Sequence, residues 1–263
     1  MCATCGCSGN EHKLTAFLAM KKPEALTGLT VATLPPGARP GVQSFAPDTP
    51  VKTVIELERD ILEKNNRMAE RNRGFFEARN ILAINLVSSP GSGKTALLER
   101  TLADLGARRQ FFVVEGDQQT ARDAERIAAG GAPVVQINTG KGCHLEAHMV
   151  HQAIRQLQPT TDSIVFIENV GNLVCPSMFD LGEGRRVIVI SVTEGEDKPV
   201  KYPDMFRSAQ LCVINKVDLL PYLKFDVQAL KEYARQVNPQ INFIEVSATS
   251  GQGMETWYAW LGL

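Results

Sequence analysis

The segment SSPGSGKT at residues 88–95 has the residue types and the spacing of a phosphate-binding loop. Its glycines let backbone N–H groups point at phosphate oxygens, Lys94 reaches the terminal phosphates, and the Thr95 hydroxyl is available to Mg²⁺. Ser88 replaces the first glycine of the pattern GxxxxGK[ST], but an apolar strand precedes the loop and a helical pattern follows it. The alternative is a glycine-rich turn that binds no nucleotide. The predicted nucleotide contacts of the loop are Gly91, Ser92, Gly93, Lys94, Thr95 and Ala96.

The tetrapeptide NKVD at residues 215–218 predicts that the base of this nucleotide is guanine. Asp218 can accept hydrogen bonds from the N1–H and the exocyclic N2–H of guanine, a pairing that adenine lacks. Asn215 and the stem of Lys216 would brace the ring. The SAT segment follows the next apolar strand, where the backbone of Ser247 and Ala248 can meet the guanine O6. Together with the phosphate loop, these segments predict GTP and GDP as ligands.

Two carboxylates that follow apolar strands are candidate ligands of Mg²⁺. Glu168 begins ENVG, a variant of the DxxG sequence that contacts Mg²⁺ and the terminal phosphate, and Gly171 would supply a backbone N–H. Asp117, in EGDQQT, would bind the ion directly or through water; its alternative role is the N-cap of a helix. We therefore expect a GTPase whose catalytic residues are Lys94, Asp117 and Glu168. No residue stands out as the one that orients the attacking water, so slow unaided hydrolysis is expected.

Six cysteines lie in the chain, and three of them fall within its first seven residues. In a reducing compartment, a cluster such as Cys2, Cys5 and Cys7 is more often metal-binding or catalytic than part of a disulfide scaffold. A redox role for the CxxC pair is an alternative. Cys212, inside the apolar run LCVIN, is interpreted as a small core residue.

A second group of soft metal ligands begins in TGKGCHLEAHMVH at residues 139–151. Cys143 and His144 are placed at the start of a predicted helix, where a thiolate is favoured, and Cys175 follows in ENVGNLVC. Adjacent side chains at a helix start point in different directions, so we expect the site to be completed by a second copy across a two-fold axis. His148 is a further candidate ligand; the alternative is a solvated histidine on a helix face.

Charge and hydropathy exclude several classes of partner. The chain has 28 lysines and arginines against 29 aspartates and glutamates, and this balance offers no basic surface for nucleic acid or an anionic membrane. No stretch approaches the roughly 18 apolar residues of a membrane span, and no secretory signal pattern is present. We expect a cytoplasmic protein whose partners are proteins or small molecules.

Apolar β-branched runs that alternate with helical patterns predict an α/β fold: a doubly wound, mostly parallel sheet of the P-loop NTPase type. The predicted strands are at residues 81–87, 111–115, 132–137, 163–167, 186–192, 211–215 and 242–246. The predicted helices between them are at residues 94–106, 119–129, 143–157, 226–237 and 253–261.

The chain divides into three predicted parts. Residues 1–7 carry the CxxCGC metal-binding motif. Residues 8–50 are rich in proline and show no sustained periodicity, which predicts a flexible linker. Residues 51–263 form the GTPase domain, beginning with a helix, or two shorter ones, over residues 51–80.

Taken together, several of these segments resemble the HypB family, P-loop GTPases of the SIMIBI class that help to load nickel into [NiFe]-hydrogenase. The likeness runs from about residue 52 to the C-terminus and resumes at residues 1–7. The resembling segments are MCATCGC, LVSSPGSGKT, EGDQQT, NTGKGCHLEAH, FIENVGNLVCPSMFDLGE, SVTEGEDKPVKYPDMF, NKVDLLPY and SATSGQGM.

The resemblance implies a GTP-hydrolysing nickel metallochaperone that dimerises on GTP binding. It implies delivery of Ni²⁺ with a HypA-type nickel chaperone to the hydrogenase large-subunit precursor. Many relatives carry a histidine-rich tail, whereas this tail has only His12, so we expect delivery without storage. The implied tight nickel site is Cys2, Cys5 and Cys7, and the implied weaker nickel or zinc site is Cys143, His144 and Cys175, with His148 at a position that some relatives use.

The sequence leaves two other functions open. One is a GTPase that serves another nickel enzyme such as urease, against which the MCxxCGC start argues. The other is a passive nickel buffer whose nucleotide site is vestigial, against which the intact Lys94, Asn215 and Asp218 argue.

Overall fold

The structure, a computed structural model, describes residues 13–17, 54–118 and 120–263. The predicted metal-binding motif at residues 1–7 and most of the predicted linker lie outside the described residues. Among the described helices, none is long and apolar enough to span a membrane.

A single mixed sheet organises the described residues. Its eight strands are β1 (Lys13–Phe17), β2 (Leu82–Ser88), β3 (Phe111–Asp117), β4 (Val134–Asn138), β5 (Ile164–Glu168), β6 (Arg185–Ser191), β7 (Leu211–Asn215) and β8 (Asn242–Glu245). Their order across the sheet is β1-β4-β3-β5-β2-β6-β7-β8. All neighbouring pairs are parallel except β1 with β4.

Helices cover both faces of the sheet. They are α1 (Val54–Ala78), α2 (Lys94–Leu105), α3 (Arg122–Ala129), α4 (Ala147–Leu157), α5 (Lys198–Lys201), α6 (Pro203–Ser208), α7 (Val227–Val237) and α8 (Met254–Leu261). Short 3₁₀ helices occur at Cys175–Met178 and Val217–Tyr222. The predicted N-terminal helix is therefore one continuous helix.

Alternation along the central strand β2 explains why the sheet needs a layer on each side. Ile84 and Leu86 pack with residues of α2, α3 and α8, whereas Ala83 packs on the opposite face with residues of α1 and α4. A third buried cluster joins β6 and β7 to α6 and α7. Burial on both faces accounts for the continuous apolar strands seen in the sequence.

Strand order determines where ligands can bind. Strands β2, β3 and β5 are neighbours, so the residues that follow them meet at one carboxyl edge of the sheet. Ligands of open α/β sheets bind at such an edge, where the order of strands along the chain reverses. The phosphate loop, Asp117 and Glu168 all lie there.

The predicted fold class is confirmed, and the differences lie in particular elements. Residues 13–17 form an edge strand paired antiparallel to β4, within the range predicted as a flexible linker. The five residues KLTAF are too short and too imperfectly alternating a stretch to predict this strand, and they lie in the range whose later part is rich in proline. The helix predicted from residue 143 begins at Ala147, because residues 143–146 are irregular and the Leu145 and Ala147 backbone N–H groups bond to asparagine side chains outside the helix. Helices α5 and α6 were not predicted.

Candidate nucleotide and metal site

The phosphate loop joins β2 to α2 through two glycines with positive φ. Gly91 has φ +75° and Gly93 has φ +95°, conformations that side chains rarely adopt. A Cβ at Gly93 would collide with the Asn215 side chain, so this glycine is required for space as well as conformation. Leu97 and Leu98 are fully buried and anchor α2 against the sheet, which fixes the loop in place.

Lys94 and Thr95, the first residues of α2, point into the polar end of the site. The Lys94 ammonium donates to Ser88 Oγ at 2.7 Å, so the serine that replaces the usual glycine holds this lysine. Both Lys94 and Thr95 are buried, and burial lowers the pKa of Lys94 despite the nearby charge of Glu168. A buried ammonium of this kind gains from a bound phosphate that would supply negative charge.

Glu168 lies at the end of β5 and reaches the phosphate loop directly. Its Oε1 accepts a hydrogen bond from the Thr95 hydroxyl at 2.8 Å, while its Oε2 is buried without a hydrogen-bond partner. Burial raises the pKa of this carboxyl, and the charge of Lys94 opposes the rise. A buried oxygen with a free lone pair beside a threonine hydroxyl fits Mg²⁺, which prefers oxygen ligands.

A second buried carboxyl, Glu115, was missed by the sequence analysis. It is the direct register partner of Glu168 on the neighbouring strand β3, and its Oε2 also has no hydrogen-bond partner. Burial, followed by the charge of Glu168, raises the pKa of Glu115 to about 9. Only the fact that EGD ends an apolar strand could have pointed to it.

Asp117 ends β3 at the same edge of the sheet. Its Oδ2 accepts hydrogen bonds from the backbone N–H and the hydroxyl of Thr120, at 2.8 and 2.9 Å. The N-cap position of α3 belongs to Ala121, so the alternative role of Asp117 as N-cap is not observed. The carboxylate remains half-exposed at the edge where Glu168 and Thr95 meet.

The NKVD segment is built onto the phosphate loop. The Asn215 amide donates to the Ser92 carbonyl at 3.0 Å, and its Oδ1 accepts from the backbone N–H of Ala248 at 3.2 Å. The Lys216 ammonium donates to the Gly91 carbonyl at 2.7 Å. These bonds bring the NKVD and SAT segments together at the loop, as the guanine-site prediction requires. The two remaining predicted base-site residues are Asp218, which is exposed, and Ser247, which is buried.

Glu194 and Lys198, in SVTEGEDKP, were given no role in the sequence analysis. Glu194 Oε1 accepts from the Ser92 hydroxyl at 2.7 Å and from the backbone N–H of Ser191 at 3.0 Å. Lys198 pairs with Glu194 at 3.3 Å and donates to Ser89 Oγ at 3.2 Å. The segment after β6 therefore braces the phosphate loop from the side opposite Glu168's strand.

Three soft ligand atoms converge near Cys175, seven residues after Glu168 in the chain. The ligand atoms of Cys143, His144 and Cys175 all lie within 4.8 Å of one another. The two thiol sulfurs are 3.0 Å apart, and both cysteines are free thiols. Two sulfurs and one imidazole nitrogen match the ligand preferences of nickel and zinc.

The histidine of this cluster is held by packing. The His144 ring stacks on Phe179 with centroids 4.0 Å apart, and its Nε2 is buried without a hydrogen-bond partner. Burial lowers the pKa of His144, which favours the neutral imidazole that binds metals, although nearby Glu146 opposes the shift. His148 lies on α4 and pairs with Glu146 at 3.2 Å, outside the three convergent ligands.

The structure corrects the expected placement of Cys143 and His144. They lie in an irregular segment before α4, whose N-cap is Glu146, rather than on a helix. Because this segment is not helical, the side chains of Cys143 and His144 can both point toward Cys175 of the same chain. The expectation that they point in different directions was therefore wrong. One chain thus provides three ligands, one short of the four of a tetrahedral or square-planar site.

The short segment between Glu168 and Cys175 joins the nucleotide-binding part of the site to the cluster of Cys143, His144 and Cys175. Gly171 passes so close to the phosphate loop that a Cβ on it would lie 3.0 Å from Pro90 Cα. The Asn172 amide donates to the Cys143 carbonyl at 3.2 Å. The remaining cysteine, Cys212, is fully buried in β7 as interpreted, whereas the N-terminal cysteines lie outside the described residues.

These features define the class of protein: a P-loop nucleotide-binding domain with a cluster of two thiols and an imidazole joined to its phosphate end. The sequence profile of the family described as "CobW/HypB/UreG, nucleotide-binding domain" matches residues 82–245. The chain belongs to this family and, within it, to the HypB group of hydrogenase maturation factors.

Relatives with this name match nearly the whole chain. The hydrogenase maturation factor HypB of Azotobacter chroococcum mcd 1 is 50% identical over 279 residues, covering 99% of this chain and 92% of the relative. The crystal structure of HypB from Archaeoglobus fulgidus is 41% identical, with a TM-score of 0.71, and covers 76% of this chain and 97% of that one. HypB from Helicobacter pylori, solved in complex with nickel, is 39% identical with a TM-score of 0.72, covering 75% and 93%.

Proposed function

We propose that this protein is a GTP-hydrolysing nickel metallochaperone that acts in the maturation of [NiFe]-hydrogenase. The observation that carries the proposal is the convergence of Cys143, His144 and Cys175 at the end of the segment that starts from Glu168. The names and the nickel complex of its relatives support hydrogenase maturation and nickel as cargo. The nucleotide-binding part of the site would control metal binding at Cys143, His144 and Cys175.

The nucleotide half supplies a binding and charge-stabilising apparatus. The N–H groups of the phosphate loop hold the phosphates, and Lys94 stabilises negative charge that develops on the terminal phosphate. Mg²⁺, when bound, neutralises phosphate charge, and Thr95, Asp117 and Glu168 are its proposed ligands. Gly171 offers its N–H to the terminal phosphate. Asp218 selects guanine, so GTP and GDP are the ligands and hydrolysis gives GDP and phosphate.

The metal half holds Ni²⁺ through two thiolates and one imidazole, with Zn²⁺ as a competing ion. A fourth ligand would come from water, from His148 after a rotation, or from a second copy. The proposed homodimer, formed when GTP binds, would bring two such clusters together. Cys2, Cys5 and Cys7 form the proposed tight nickel site that exchanges metal with a HypA-type chaperone and passes it toward the hydrogenase large-subunit precursor.

A complementation experiment tests the proposal. Cells that lack their own factor are supplied with the wild-type chain, Lys94→Ala, Cys143→Ala or the matched control Cys212→Ala, and hydrogenase activity and its nickel content are measured. The wild type and Cys212→Ala are expected to restore both, whereas Lys94→Ala and Cys143→Ala should restore at most about a tenth of the activity. Full activity with Lys94→Ala would reduce the protein to a passive nickel buffer.

A further inference from the structure

Asn169 directly follows the proposed Mg²⁺ ligand Glu168 and is buried, with 2% of its surface exposed. Its Oδ1 accepts two backbone hydrogen bonds, from Leu145 at 3.1 Å and from its own neighbour Val170 at 3.0 Å. Its Nδ2 faces Asn85 Oδ1 on β2 at 3.3 Å. One side chain thus ties the end of β5, the centre of the sheet and a distant loop into one buried network.

The loop that Asn169 holds is the one that carries two of the metal ligands. Leu145 follows His144 directly, so the position of its N–H sets where the backbone of Cys143 and His144 can lie. The Leu145 side chain is fully buried and packs so closely on Gly116 of β3 that a Cβ there would approach to 2.8 Å. This loop therefore cannot shift without breaking the bond to Asn169 or disturbing the strand that carries Asp117.

We propose that Asn169 is the positioning residue that couples the phosphate end of the nucleotide site to the metal cluster. Any movement of Glu168 as Mg²⁺ and phosphate bind moves the adjacent Asn169 and, through the Leu145 N–H, the backbone of His144. Asn172, which donates to the Cys143 carbonyl, provides a second contact along the same segment. The inference rests on the proposed function, because it presupposes that both halves bind their ligands.

The chain offers a matched control for this role in Asn65. Asn65 is also a buried asparagine, 5% exposed, whose Oδ1 accepts a backbone hydrogen bond near the metal loop, from Ala147 at 2.8 Å. Its Nδ2 donates to the Asp180 carbonyl at 2.7 Å. Asn65 therefore supports the same loop and helix, but from α1, and its hydrogen bonds go to Ala147 and Asp180 rather than to residues 168–175.

The test measures nickel affinity in two nucleotide states. The background protein is the full chain with Cys2→Ala, Cys5→Ala and Cys7→Ala, so that nickel binding reports on the internal cluster alone. It is titrated with Ni²⁺ against a chromophoric chelator. The titration is done with Mg²⁺ and GDP, and again with Mg²⁺ and a non-hydrolysable GTP analogue. The coupling factor is the ratio of the two nickel dissociation constants, and it is compared for this background, Asn169→Ala and Asn65→Ala.

We expect a coupling factor of at least about fivefold in the background, in the range typical of coupled sites. Asn65→Ala should keep it, and Asn169→Ala should reduce it to below about twofold while each nickel and nucleotide affinity stays within about threefold. If Asn169→Ala does not fold, as judged by circular dichroism and thermal unfolding, Asn169→Ser takes its place, since its side chain is too short to reach Leu145.

The possible failures are distinguishable. A coupling factor that survives in whichever Asn169 variant folds, or one lost equally in Asn65→Ala, overturns the positioning role and leaves the proposed function intact. Absence of nickel binding by the cluster in the background chain, or a factor of one there, contradicts the proposed function itself.

Discussion

The Thr95 hydroxyl, at the start of α2, donates a 2.8 Å hydrogen bond to Glu168 Oε1, at the end of β5. The bond closes the gap between the phosphate loop and the segment that leads to the metal cluster. Glu168 Oε2 is left buried without a hydrogen-bond partner. Oxygen atoms from two elements are therefore already placed together where the Mg²⁺ site is proposed.

Substitution of Glu168 tests the metal side of the nucleotide site. Glu168→Gln keeps an oxygen that can accept from Thr95 but removes the negative charge. We expect the Mg²⁺ concentration for half-maximal GTP hydrolysis to rise at least about tenfold, a loss of roughly 1.4 kcal/mol. Glu245→Gln, at the end of β8, is the control and should leave the Mg²⁺ dependence unchanged. An unchanged Mg²⁺ dependence in Glu168→Gln would remove this carboxylate from the proposed ligands.

Base selection is tested at Asp218. The Asp218 carboxylate is proposed to accept hydrogen bonds from two N–H groups of guanine. In Asp218→Asn one carboxylate oxygen becomes an NH₂ group, so a donor faces one of these guanine donors. We expect GTP affinity to fall at least about 100-fold, since a site built around hydrogen bonds rejects a mismatched partner. Xanthosine triphosphate, whose C2 carbonyl accepts that new donor, should bind better than GTP. Equal binding of GTP by the variant and the wild type would contradict guanine readout by this residue.

The pH dependence of stability is predicted from Glu115. Its pKa is raised from 4.5 to about 9, so the folded protein favours the protonated carboxyl. Its contribution to stability is complete below about pH 4.5 and is lost as the pH rises toward 9. Glu115→Gln mimics the neutral acid and should be more stable than the wild type at pH 8 by at least about 1 kcal/mol, with the difference fading near pH 5.

Chemical unfolding without nucleotide or Mg²⁺ at several pH values measures this difference. Asp226→Asn, at the exposed N-cap of α7, is a control for simple loss of a carboxylate. Asparagine also caps helices, so at pH 8 this variant should be less stable than the wild type by at most about 1 kcal/mol, the effect of the lost charge at the helix N-terminus. A Glu115→Gln variant that is less stable than the wild type at pH 8 would show that the ionised carboxylate is favoured in the fold.

The metal cluster is tested through its cysteines. Cys175→Ser replaces one thiolate with a weak hydroxyl ligand, so the nickel affinity of the internal cluster should fall at least about tenfold. Cys212→Ala, at a fully buried cysteine of β7, should leave nickel affinity unchanged although it lowers thermal stability. Competition with a chromophoric chelator measures the nickel affinity of both variants. Loss of nickel affinity in Cys212→Ala alone would place the site elsewhere.

The placement of the candidate nucleotide-binding residues at one edge of the sheet could be predicted from sequence, because each of them lies in a short local motif. The phosphate loop, Asp117, Glu168 and NKVD each follow a continuous apolar strand, and parallel strands bring their carboxyl ends to one edge. Glu115 could not be singled out in the same way. Its burial and its pairing with Glu168 depend on the order of strands across the sheet, which the sequence pattern does not specify.

The metal cluster was predicted by residue type but not by geometry. Cys143 and Cys175 are 32 positions apart, and their 3.0 Å approach depends on the paths of two irregular loops. The sequence pattern predicted a helix from residue 143, four residues before α4 begins. The expectation that the Cys143 and His144 side chains diverge followed from that error. Asn169 carries no chemical signature in sequence, because its role arises from a backbone N–H 24 residues away.

The proposed function requires that nucleotide turnover and the metal cluster be coupled. The most direct measurement is the rate of GTP hydrolysis by the full chain with and without Ni²⁺, for the wild type, Cys143→Ala and the control Cys212→Ala. We expect Ni²⁺ to change the rate of the wild type and of Cys212→Ala by at least about threefold, and to leave the rate of Cys143→Ala unchanged. Identical rates with and without Ni²⁺ in all three proteins would show that the two sites are not coupled.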